Sequence, residues 1–110
     1  MPPHEYPDSW VVIKIADGSK YHHRVIAGWN DNSVESEVWK VNSGVKSVEE
    51  TDTHYVFRGV SSSSYHCPKD SYGLTAENSG VYIQLKDLHG DKIELLDEDQ
   101  DWLSINWIVK

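Results

Sequence analysis

The chain has one cysteine, Cys67, in 110 residues. That excludes an internal disulfide and a cysteine-only metal site, and it fits a reducing, cytoplasmic setting. Long hydrophobic stretches are missing too. A bilayer-spanning helix needs about 20 apolar residues, and nothing here approaches that. The opening "MPPHEYPDSW" lacks the basic flank and apolar centre of a signal peptide, so it reads as neither leader nor anchor. Basic residues are scarce, with 10 Lys and Arg against 18 Asp and Glu, for a formal net charge of −8. Duplex nucleic acid is bound largely by neutralising phosphates, so this balance argues against direct, bulk DNA or RNA binding. There is no Walker loop, no G-x-S-x-G, no H-E-x-x-H and no G-x-G-x-x-G. Nothing requires an enzyme, a cofactor or a membrane, and the expectation is a protein with none of the three.

Aromatic residues, by contrast, are plentiful: five tryptophans and six tyrosines. Large rings bury much area each, so a core can be built from few residues, and about three of the five tryptophans are expected inside. The length suits one domain burying roughly two thirds of its unfolded surface.

Residues 1–8 carry three prolines and read as an extended N-terminal arm, leaving 9–110 as a single α+β domain. "SWVVIKIA", "DGS" and "KYHHRVIAGW" form a hairpin pattern of β-branched residues around a Gly turn. "NDNS" is a second turn, "SEVWKV" a short strand, and "NSG" a turn into "VKSVEE". "THYVFRGV" and a segment near Ser63–Cys67 continue the alternation. Val81, Leu85 and Leu88, with Tyr82 beside them, mark the apolar face of one helix over roughly 76–89 that ends at Gly90. "DKIELL" reads as a strand, and "DWLSINWIV" as a strand or a short helix. The expected architecture is an antiparallel meander of six to eight short strands, as a curved sheet or open barrel, with one helix packed on it.

The potential metal ligands are His22, His23, His54, His66, Cys67, Asp70 and His89. On a strand, neighbours such as His22 and His23 point to opposite faces, so no close-spaced ligand pair exists. "DEDQD" at 97–101 begins like a calcium loop but lacks the Gly and the terminal Glu that such a loop needs. Metal binding is therefore not expected. Cys67 beside a histidine would allow nucleophilic chemistry, but a buried, unreactive thiol is the better reading.

The segment "GVSSSSYHCPKDSYG" (59–73) poses the sharpest question: ligand site or polar connection. Serine hydroxyls and backbone N–H groups at a strand end can donate to phosphate oxygens. Lys69 lies nearby, and Tyr65 and Tyr72 offer rings for a base. His22 and Arg24 share a face of one strand, with Lys20; His54 and Arg58 share a face of another. If those faces coincide, His22, Arg24, His54, Arg58, Ser61, Ser62, Ser63, Ser64, Tyr65 and Lys69 would line a small basic pocket for an anionic nucleotide. The competing expectation places function on the acidic turns: Asp31, Glu35 and Glu37; Glu49, Glu50 and Asp52; and Asp97, Glu98, Asp99 and Asp101. These would meet a basic protein surface by charge complementarity.

"VWKVNSGV" (38–45) and "SYHCPKDSYG" (64–73) resemble segments of small uncharacterised proteins of large tailed phages of marine cyanobacteria. The matching positions are Trp39, Lys40, Asn42, Ser43 and Gly44, then Tyr65, Cys67, Lys69, Asp70, Tyr72 and Gly73. The resemblance covers the middle third of the chain. It implies a small phage accessory protein in the host cytoplasm, and transfers no activity. Two functions are expected from this. One is a non-enzymatic inhibitor of a host defence or nucleic-acid-handling protein, anti-CRISPR-like in action. The other is a sponge, monomeric or homodimeric, that sequesters a nucleotide second messenger.

Overall fold

The computed structural model describes residues 4–29, 39–42, 44–61 and 63–109. Among them the strands are β1 (His4–Glu5), β2 (Ser9–Asp17), β3 (Lys20–Gly28), β4 (Trp39–Val41), β5 (Val45–Glu50), β6 (His54–Gly59) and β7 (Ser64–Pro68). The helix α1 (Ala76–His89) follows, then β8 (Ile93–Leu95) and β9 (Ile108–Val109). The fold is α+β, as expected. Its strands divide into two open sheets, in the orders β1-β7-β6-β5 and β4-β3-β2-β8, with β9 also pairing with β3. All pairings between these strands are antiparallel except β1 with β7, and an isolated Trp10–Tyr72 bridge is also parallel.

The division has a local cause at Asn42 and Gly44. Asn42 docks on β3 through two bonds: its N–H donates to Val25 O (3.1 Å), and its Oδ1 accepts from Val25 N–H (2.9 Å). Gly44 then adopts φ +133°, where side-chain-bearing residues are strained, and the chain leaves the sheet for β5.

β2 is apolar on both faces because both are covered. Trp10 and Val12, with Val25 and Ala27 of β3, pack against Val45, Phe57, Tyr65 and Cys67 of the other sheet, and against Trp102 and Trp107. Val11, Ile13 and Ile26 face the opposite way and take Val81 of α1 and Ile93. The result is three layers: sheet, sheet, helix. Trp10, Trp102 and Trp107 are buried, Trp29 is partly buried and Trp39 is exposed.

The helix occupies the expected span. Thr75 N–H donates to Asn78 Oδ1 (2.8 Å) at its start, and Gly90 at φ +59° returns its N–H to Lys86 O at its end. One residue departs from the expected face: Leu88 is 77% exposed, while Val81 is buried and Tyr82 and Leu85 are partly so. After Gly90 the chain doubles back, and Ile93 rather than Leu88 completes the apolar cluster. The ambiguous terminal stretch is both things in turn, a short 3-10 turn at Trp102–Ser104 and then β9.

Candidate functional site

Residues 59–73 begin as the β6–β7 hairpin. Gly59 N–H donates to Ser63 O (2.8 Å), and Val60 N–H donates to Gly44 O (3.0 Å), so the turn is tied both to itself and to the start of β5. Ser62 lies outside the described residues, Ser61 is exposed, and Ser64 is buried on β7. Past β7 the chain crosses to the middle sheet. Trp10 Nε1–H donates to Pro68 O (2.6 Å), Trp10 N–H to Ser71 O (3.3 Å), and Gly73 N–H to Trp10 O (2.9 Å). Tyr72 donates its hydroxyl proton to Leu96 O (2.5 Å) and accepts from Val12 N–H (3.2 Å). The "YHCPKDSYG" half of the segment is therefore a clasp joining the two sheets around Trp10.

This placement takes both tyrosines out of a stacking role. Tyr65 is 4% exposed within the aromatic core, and Tyr72 is held by its two hydroxyl bonds. Burial pushes both phenols up to about 12. Cys67 is fully buried, and burial pushes its thiol well above the ordinary range, so the reactive thiolate is disfavoured.

The expected basic pocket is distributed over three places. His22 and Arg24 lie on the face of β3 that carries Ile26, on the helix side of the middle sheet. There Arg24 Nε–H donates to His22 Nε2 (3.2 Å); burial first, then the Arg24 charge, lower the His22 pKa. His54 and Arg58 share a face of β6, opposite to Phe57, on the outside of the other sheet. The two faces do not coincide. His54 bonds Thr53 through Nδ1 (2.7 Å) and borders a shallow depression of about 440 Å³ with Asp52, Pro68, Lys69 and Asp70. Arg58 lies at the other end of the strand.

The two expected sites also interlock. Arg58 donates to both oxygens of Glu49, Nη2 to Oε2 at 3.1 Å and Nε to Oε1 at 3.3 Å, and its Nη1 donates to Ser64 Oγ at 3.3 Å. The bond from Arg58, then its charge, hold the Glu49 carboxyl below its ordinary range. Lys69 pairs with Glu50 at 2.5 Å and lies 5.2 Å above the Tyr55 ring. Two residues expected to meet a basic partner are thus bound to two expected to meet an anion. Asp31, Glu35 and Glu37 lie outside the described residues. Asp97, Glu98, Asp99 and Asp101 are all exposed, and none of the four is ion-paired among the described residues. Their loop is rooted by the Tyr72–Leu96 bond, by Leu96 N–H on Val12 O (3.0 Å), and by Ser104 Oγ–H on Asp101 Oδ2 (2.8 Å).

No family model, curated protein or solved structure matches the chain.

Among the described residues, no three His, Cys, Asp or Glu side chains come together as a metal site. His23 is a core residue: it is 3% exposed, its Nδ1 bonds Trp107 O at 2.9 Å, and its ring meets the Trp107 ring edge-on at 5.1 Å. One grouping matches expectation only in part: Arg58, Ser63 and Ser64 do come together, but with Lys46 and Ser47, which the sequence did not single out. Lys46, Ser47, Arg58, Gly59, Val60, Ser63 and Ser64 line a depression of about 300 Å³. A β-bulge between Val45 and Ser47 makes Lys46 the extra residue on its strand and brings it to this lining. The bulge does leave a trace in "VKSVEE": Val45 and Val48 are three apart yet both face the core, a break in phase that a regular strand would not show.

Proposed function

We propose that the protein is a non-enzymatic inhibitor that binds a basic surface of a host protein through its 97–101 loop. In this reading it is a phage accessory protein of the host cytoplasm, directed at host defence or nucleic-acid-handling machinery. What carries the proposal is the loop's electrostatics: four exposed carboxylates in five residues, none ion-paired among the described residues, on a firmly rooted connection. Charges arranged this way speed encounter with a basic surface and penalise wrong partners. Glu49 and Glu50 contribute less, because Arg58 and Lys69 already neutralise them.

The test compares the native protein with the D97N/E98Q/D99N/D101N variant. Both are immobilised, and proteins retained from bacterial lysate are quantified at low and moderate salt. A basic, nucleic-acid-handling protein should be retained by the native form and released by salt. The variant should lose it at least tenfold, since several charge contacts disappear together. Addition of the native protein should then block that partner's nucleic-acid binding. Equal retention by the variant, or retention indifferent to salt, would sink the reading.

A further inference from the structure

We propose that the depression between β5 and the β6–β7 turn binds a phosphate dianion, either free or as the end of a small phosphomonoester. This goes beyond the protein-binding reading and does not rest on it. The site has a fixed cation, a second cation with no ion pair among the described residues, and three hydroxyls. Arg58 is the fixed one: Glu49 grips its guanidinium on one side and Ser64 Oγ on the other, while about half of its side chain remains exposed. A guanidinium already held in place loses little side-chain freedom when a ligand arrives, and its planar fork matches phosphate oxygens. Lys46 has no ion-pair partner among the described residues and lines the same hollow. Ser47, Ser63 and Ser64 supply hydroxyl groups.

Size and charge limit the ligand. About 300 Å³ is at the small end of ligand sites, large enough for a phosphate with its attached sugar. Lys46 and Arg58 against Glu49 leave one positive charge locally, on a chain whose net charge is −8. The surrounding acidity repels a polyanion along its length, whereas a compact anion meets only the local field. Glu49 is the built-in competitor. It occupies two guanidinium donors that a phosphate would use, so binding must share or displace it.

Amide chemical shifts of the full chain would be followed during titration with inorganic phosphate, adenosine 5′-monophosphate and adenosine. Saturable shifts are expected at Lys46, Ser47, Ser63 and Ser64 with the two phosphates, and not with adenosine. Tighter binding of the monophosphate assigns the phosphomonoester; equal binding assigns free phosphate. Arg58→Gln and Lys46→Gln should each weaken binding roughly tenfold, as loss of a charge-assisted contact implies. Glu49→Gln should instead tighten it severalfold, a gain that a merely structural ion pair would not produce. All three positions are exposed, and unchanged circular dichroism would confirm folding of the variants. Absence of saturable shifts at millimolar phosphate or monophosphate overturns the proposal, as does unchanged affinity in the Glu49 and Arg58 variants.

Discussion

His23 is sealed in the core with its Nδ1–H donated to the Trp107 carbonyl, and protonating the ring there would leave a poorly solvated charge. Burial lowers its pKa more than the Trp107 bond raises it. The folded state therefore binds this proton less readily than the unfolded chain, whose histidine titrates near 6.5. His22 is shifted in the same direction. Stability from both is fully present above pH 6.5 and is lost as pH falls from there towards the depressed folded values. Urea midpoints measured from mildly alkaline to mildly acidic pH should decline over that window, and the decline should shrink in His23→Gln. A midpoint flat across it would contradict the assignment. At this scale the sequence was partly informative. A lone cysteine with no ligand pair beside it pointed to a buried thiol, and Cys67 is one. His23 and His54 look alike in sequence, yet one is sealed and the other borders a surface depression.

For the elements, periodicity and punctuation were enough to place the helix and most strands. Asp17-Gly18-Ser19 turns with Gly18 at φ +64°, and Gly90 ends the helix. Periodicity could not show how far the sheet extends beneath the helix. By angle, Leu88 belongs to the same stripe as Val81 and Leu85; only the reversal at Gly90 leaves it outside. The two positions should respond differently to substitution. Val81→Ala should cost about 2 kcal/mol in urea unfolding, from lost burial and the cavity left behind. Leu88→Ser should change stability by no more than about 0.5 kcal/mol, as expected for a surface site. Comparable losses at both would show that the last turn packs more tightly than described.

Across the whole molecule, a single aromatic cluster joins the two sheets. The Trp10 ring lies 5.3 Å from Phe57, 4.6 Å from Tyr72 and 5.5 Å from Trp102, and Phe57 reaches Trp107 at 5.6 Å. Neither sheet can keep its inner face dry without the other, so they should unfold together. Tryptophan fluorescence and far-ultraviolet circular dichroism should report one coincident urea transition. Phe57→Ala should lower stability by about 3–5 kcal/mol without splitting that transition. Two separated transitions would mean that the sheets are independent units.

Hydrophobic alternation, glycine turns and the terminators of one helix determined the α+β class, because these are local preferences that each segment expresses regardless of its neighbours. Composition likewise determined the acidic character and the weight of tryptophan in the core. Tertiary structure alone decided which faces meet. It put His22 and Arg24 on the helix side and Arg58 on the outside, bound Glu49 and Glu50 to Arg58 and Lys69, and left the four carboxylates of 97–101 without an ion pair among the described residues. It also brought Lys46 to the serine turn through a bulge. Charge pairing acts over a few ångströms of space between residues many positions apart. Which charges cancel is therefore set by sheet register and by where the chain leaves the sheet after Asn42, neither of which a linear pattern encodes.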